Sequence, residues 1–311
     1  MIPARVRAPF DERPLAREGV VAAALLGGFV LWIQLLLAIG LRLASVAESF
    51  LTVESNAWAL AETVLVADTV AVVGMVAFAA AYVRVRGLSV TLGLPDRSEL
   101  WAVAAAVAVP AASVAAVYGL AHATGTTLSS LTGTFVAEDV SLVVPATLMA
   151  LQLLLGLPAY VLVTHVLVQR TLRAAAGPSV AIGVTTLVVG LAGPTELVTT
   201  TVTLQTAVVA LLLPVSVALP VYASHSFDVD WLPWLCALPL ALFGIGLVTS
   251  WLADVDGVAG AAFGLAQIGI VGLAAYSYEE TGSLLPPALA YASFVVATEA
   301  MVLFFEAGVR P

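Results

Sequence analysis

The chain has 311 residues, of which 61% are hydrophobic and only 10% charged, and its mean hydropathy is +1.08. So few polar side chains cannot clothe a water-soluble domain, so the composition excludes an ordinary soluble enzyme and predicts an all-α, polytopic bundle of transmembrane helices. Eleven basic against twenty acidic residues leave a net charge of −9, which excludes a nucleic-acid partner because phosphate binding needs basic clusters.

Apolar stretches of about 20 residues cross a bilayer as helix, and the chain contains about nine of them (eight to nine). Residues 1–18 form a tail with Arg5, Arg7, Arg13 and Arg17. The first apolar run, 19–41, is too long for a signal-peptide core and reads as the first span. The second, 58–83, carries Asp68 near its middle, and a loop with Arg84, Arg86 and Arg97 leads to the third, 99–121. Residues 122–140, rich in Thr, Ser and Gly, form the longest loop. The fourth run, 141–168, carries His165 and is followed by Arg170 and Arg173. Runs at 178–193, 198–222, 231–252, 257–277 and 285–307 complete a single bundle over 19–308. The turn between the last two holds Glu279, Glu280 and Thr281-Gly282-Ser283, and Pro286-Pro287 opens the final helix.

Nearly all the arginines fall on one side of this topology, which predicts a cytoplasmic N-terminus in a multi-pass cell-membrane protein. All eleven basic residues are arginine. Acidic, lysine-free loops suit a salt-rich milieu and predict a haloarchaeal source. The single cysteine, Cys236, lies in an apolar run and excludes an internal disulfide.

Three stretches carry a resemblance: RVRGLSVTLGLPDRSELW (84–101), LLLGLPAYVLVTHVLVQRTLRAAAGPSVAIGVTTLVVGL (153–191) and GLAAYSYEETGSLLPPALAY (272–291). Together, over about 84–297, they resemble the CPBP intramembrane metalloproteases, the family of type II CAAX prenyl endopeptidases. The resemblance implies a helical membrane fold and cleavage of membrane-embedded or prenylated substrates by a metal-activated water. It also implies three motifs. The paired glutamates fall on Tyr160 and Val161, and the arginine after them on His165. The Phe-to-His motif falls on Val189 and Gly193, or in a second alignment on Phe243 and Leu247. The His-to-Asn motif falls on Tyr291 and Val295. His165 is the one position among these that can donate to a metal as family ligands do.

A catalytic metal needs about three protein donors and an open position for water, with a carboxylate near enough to take the proton. The chain has three histidines, His122, His165 and His225, spread over a helix end, a helix and a loop. The expectation is therefore a member of this frame without its chemistry. It has no catalytic residues and no cofactor, with zinc required only if an atypical protease site survives. Its partners are the bilayer and a membrane protein or lipidated peptide, in a binding or assembly role.

Ionisable groups inside a bilayer are costly and often functional. Asp68, His165 and Glu299 are the candidates here, either lining a polar cavity or making interhelical hydrogen bonds. A cavity joining them would suit the alternative class, a small transporter or channel component. His165, a turn before Arg170, is expected near the cytoplasmic helix end, bonded to a carbonyl or interfacial water. Glu306 is expected at a solvated end. Thr199, Thr200, Thr201, Thr203 and Thr206 bond back to their helix or line a groove, and Gly260 and Gly264 favour close helix packing.

Overall fold

The computed structural model describes residues 14–48, 56–87, 91, 93, 96–133, 147, 149–150, 152–192, 215, 219, 223 and 231–306. Among the described residues the fold is all helical, apart from one isolated bridge between Thr91 and Ser283. The elements are α1 (Pro14–Glu48), α2 (Asn56–Arg86), a 3-10 turn (Arg97–Glu99), α3 (Leu100–Thr124) and α4 (Leu128–Thr132). A continuous run over 152–176 alternates π-helix (Gln152–Gly156), α5 (Leu157–Val161), π-helix (Leu162–Gln169) and α6 (Arg170–Ala176). Then come α7 (Pro178–Ala192), α8 (Leu232–Cys236), α9 (Leu238–Asp254), α10 (Gly257–Thr281) and α11 (Leu285–Met301), the last ending in a π-turn (Val302–Glu306).

Four segments are long and apolar enough to cross a membrane: Thr69–Arg86, Arg97–Thr124, Gly257–Thr281 and Leu285–Glu306. The chain is a helical membrane protein on that basis. Its contacts divide it into two compact units: Met1–Leu88 with Val166–Ala181 and Pro194–Gly246, and Ser89–His165 with Ile182–Gly193 and Leu247–Pro311.

In the first unit α1 lies along α2. Gly74 lets them approach so closely that a Cβ there would overlap the Leu36 side chain. Trp32 Nε1 donates to the Gly74 carbonyl at 2.9 Å, and Phe29 meets Phe78 edge to face at 5.6 Å. Small residues and interhelical hydrogen bonds are what hold helices together where lipid is as apolar as the side chains. Tyr82, near the end of α2, shares a 2.6 Å hydrogen bond with Thr171 of α6.

In the second unit α3 packs on α10 and α11 along one stripe: Ala102, Ala106, Pro110, Val114, Val117 and Ala121, spaced at three and four residues. Val114, Val117, Leu128, Phe263 and Val302 form its core. Pro110 sits inside α3, where a proline disturbs the carbonyls of the preceding turn. Ser293 Oγ from α11 donates to one of these, Val107 O, at 2.7 Å.

Two clamps fix the ends of this unit. Ser283, in the turn between α10 and α11, donates its hydroxyl to Gly93 O at 2.6 Å, while Leu284 N donates to Thr91 O at 3.0 Å. The basic loop is thereby tied to that turn. At the other end Glu306 accepts from Leu128 N at 2.5 Å and Ser129 N at 2.7 Å, capping α4.

Several expectations are corrected. Glu306 is a part-buried cap rather than a solvated end, because α4 offers it two otherwise unpaired N–H groups. Glu279, Glu280 and Thr281 remain helical, and the turn begins at Gly282 (φ 62°), where the left-handed backbone ends α10. The loop expected over 122–140 is helical to Thr124 and again over Leu128–Thr132. Two glycines with positive φ, Gly125 and Gly133, end those two helices. The helix expected over 231–252 is broken between Cys236 and Leu238. Thr199 to Thr206 lie outside the described residues.

Candidate functional site

The site grows from the helical run over 152–176. On an α-helix five residues turn about 140° past a full circle, which would set Tyr160 and His165 on different faces. From Leu162 the run is π-helical, with i→i+5 bonding, so a residue five positions on lies about one turn ahead. Tyr160 and His165 therefore both reach Tyr291 on α11. The ring centroids of Tyr160 and Tyr291 lie 4.8 Å apart in an edge-to-face arrangement. The His165 ring stacks on Tyr291 at 5.9 Å, and His165 Nε2 is 3.2 Å from the Tyr291 hydroxyl. Tyr278 of α10 meets the His165 ring at 5.5 Å.

The α10–α11 hairpin thus brings a tyrosine from each arm against one imidazole. Pro286 and Pro287 open α11 with pre-set φ, and the Ser283 clamp holds the turn before them, which positions Tyr291 on the second turn of the helix. His165 is fully buried (0% exposed), in the middle of the run. It is not at a helix end facing water, because the helix continues to Ala176 and its π segment turns the ring inward.

Two hydroxyls of the cluster are left over. Tyr160 lies within reach of Thr164 and Tyr291, yet its buried hydroxyl meets strict hydrogen-bond geometry with neither, and Thr164 Oγ1 likewise meets it with no partner among the described residues. Unpaired polar groups are expensive inside a membrane bundle. Thr185, Thr186 and Thr298 of the same unit also bury unpartnered hydroxyls. Thr186 packs against Gly272, where an added Cβ would meet it at 3.2 Å.

Chemically the cluster can donate, accept and pass protons among an imidazole and several hydroxyls. As a metal site it offers one imidazole; its phenols would bind strongly only as phenolates, and an ordinary phenol loses its proton near pH 10. Among the described residues no three His, Cys, Asp or Glu side chains come together.

The remaining predicted positions fall as follows. Val161 is buried beside Tyr160, and Val189 is buried on α7. Next to Val189, an added Cβ at Gly190 would come within 3.0 Å of Ile268 Cα. Phe243, Leu247, Val295 and Glu299 are half-buried. Gly193, His225 and the Asp68 side chain lie outside the described residues. Tyr278 and Thr164 are cluster members that the motif alignment did not name. Thr164 was findable, one turn after Tyr160; Tyr278 was visible only as one of the aromatics flanking the hairpin turn.

Comparison with known proteins finds no matching family model, no matching curated protein and no matching solved structure.

Proposed function

We propose that the chain is a multi-pass membrane protein of CPBP-like frame, with about nine spans and a cytoplasmic N-terminus, that works by binding rather than by hydrolysis. Its bundle would receive a membrane protein or a lipidated peptide, and the Tyr160–His165–Tyr291 cluster would stand where relatives of that frame gather their metal ligands. One observation supports this reading above the others. The positions on which two family motifs fall, 131 residues apart at the extremes, are in direct contact through Tyr160, His165 and Tyr291. What meets there is one imidazole and two phenols, a set suited to hydrogen bonding.

Metal content of the purified full-length protein tests the non-hydrolytic half. An equimolar zinc ion that disappears in His165→Ala would overturn it. Photocrosslinking tests the binding half: a benzoylphenylalanine in place of Tyr291 should capture a farnesylated peptide in nanodiscs. An equal yield from the same reporter in place of Leu265, an exposed position on α10, would count against a binding site in the bundle.

A further inference from the structure

The second unit carries an aromatic pair at each end of α3. At one end Trp101 lies against Tyr276 of α10, ring centroids 6.1 Å apart, and both rings are exposed. At the other end Tyr118 lies 5.8 Å from Phe305, in the π-turn that closes α11, and Phe304 and Phe305 are exposed. Between the pairs the outer surface is apolar too: Val107 and Val109 of α3, Leu265 of α10 and Val296 of α11 are all exposed. Charge begins just past the rings. The nearest ionisable groups along α3 are Glu99 and His122, and those flanking the apolar part of α10 are Asp256 and Glu279, 23 positions apart in both cases. Trp101 near the start of α3 meets Tyr276 near the end of α10, so the two helices run antiparallel and their charged ends fall at two common levels.

We propose that the two aromatic pairs mark the boundaries between lipid headgroups and acyl chains, so that the second unit fits a phospholipid bilayer with a hydrocarbon layer about 26 Å thick. The inference does not draw on the binding role above. Trp101 and Tyr118 are 17 positions apart, about 26 Å along an α-helix. Trp and Tyr gather at headgroup level because an apolar ring there carries a polar N–H or O–H that reaches water. A typical hydrocarbon layer is about 30 Å thick, and tilting the helix only shortens its span, so a thick bilayer must thin around this unit. Other occupants of the exposed surface answer fewer of its features. A second copy of the chain would cover one stripe, whereas the exposed apolar side chains lie on three helices. Aromatic pairs at both ends, with charge beyond them at equal spacing, are what a layer of fixed thickness demands. Glu299, the one acid on α11 between these levels, lies six positions before Phe305, about 9 Å inside the nearer boundary, and is half-buried against the bundle.

The test places single nitroxide labels through Ser98→Cys, Ala104→Cys, Ala108→Cys, Ala112→Cys, Ala115→Cys and Ala123→Cys, all exposed positions, in a full-length Cys236→Ala chain. The protein is reconstituted in dioleoylphosphatidylcholine vesicles, and relaxation by oxygen is compared with relaxation by a water-soluble nickel chelate. The deepest labels should be those at 108 and 112, on either side of the midpoint between the two pairs, while those at 98 and 123 meet the chelate. A deepest label at 104 or 115 would overturn the proposal, as would a chelate that reaches 108 and 112 as readily as 98. The unmodified chain supplies a second measurement that decides alone if labelled variants fail to fold. Its thermal unfolding midpoint should be higher in dimyristoleoyl- than in dierucoylphosphatidylcholine vesicles, the thin and thick extremes of one lipid series. Equal midpoints, or a higher one in the thick bilayer, would refute the assigned thickness.

Discussion

Replacing Tyr291 by Phe should destabilise the protein and replacing Tyr160 by Phe should not, although the two rings touch. Each substitution deletes one hydroxyl and keeps the ring, so packed area hardly changes. The Tyr291 hydroxyl is hydrogen-bonded to His165 Nε2 at 3.2 Å, and its loss leaves a buried imidazole nitrogen short of that partner. Leaving such a group unsatisfied costs about 1–3 kcal/mol. The bond is at the long end of the usual range, and interhelical hydrogen bonds in membranes average about 0.6 kcal/mol. A loss of about 1–2 kcal/mol follows for Tyr291→Phe. The Tyr160 hydroxyl, within reach of Thr164 and Tyr291, meets strict hydrogen-bond geometry with none of the described side chains, and its burial is a standing desolvation cost. Removing it should be neutral or stabilise the protein by up to about 1 kcal/mol. Reversible unfolding in mixed micelles with rising SDS, followed by tryptophan fluorescence, measures both differences. If Tyr160→Phe destabilises as much as Tyr291→Phe, the Tyr160 hydroxyl is satisfied in the folded protein and the reasoning fails.

Three further outcomes follow from the packing. Gly190→Ala should lower stability by about 1–3 kcal/mol, an overpacking cost, since the new methyl would press on the Ile268 backbone, which cannot rotate away; thermal unfolding in detergent reads it, and an unchanged midpoint would show that α7 and α10 separate freely. Glu306→Gln keeps one acceptor oxygen and loses the other with the charge, costing about 1–2 kcal/mol; amide exchange at Leu128 and Ser129 should quicken, while exchange in the middle of α3 stays put. Ser283→Ala removes the donor to Gly93 O and the acceptor for Leu285 N, costing about 1 kcal/mol; faster exchange at the Leu284 amide, which donates to Thr91 O, is the expected sign that the loop has come loose from the turn.

The helical membrane character was legible because hydrophobic runs of spanning length report burial in lipid directly. Thr69–Arg86, Arg97–Thr124, Gly257–Thr281 and Leu285–Glu306 overlap runs that hydropathy alone marks out. Pro286-Pro287 marked the start of α11 for a reason local to proline. The end of α10 was less legible: Glu279 and Glu280 read as turn residues by polarity, yet the helix runs through them until Gly282 supplies the left-handed backbone that ends it. Glu306 shows the same limit of polarity. A carboxylate near a helix end reads as solvated until tertiary structure places two unpaired amides beside it. His165 was misjudged because its surroundings depend on a π segment, and neither composition nor a 3.6-residue period signals a widened helix.

That π segment also bears on how motif spacing should be read in this chain. A paired motif with a partner five residues later would scatter over an α-helix surface, and counting α-helical turns would separate Tyr160 from His165 by well over a quarter turn. With i→i+5 bonding from Leu162 the same spacing converges on Tyr291. The convergence is therefore a property of backbone geometry as much as of the residues placed on it. π-turns cost hydrogen-bond quality and are kept mostly where a site needs them. Here the run holds an imidazole at 0% exposure, stacked on one phenol and bonded to it, with a second phenol and a threonine hydroxyl unpaired alongside. A segment serving only to cross lipid would do better as regular α-helix with leucine at 160 and 165. The widened backbone and the unpaired hydroxyls both add to the cost of folding, and they occur at the same place, which argues for a function at Tyr160, Thr164, His165 and Tyr291.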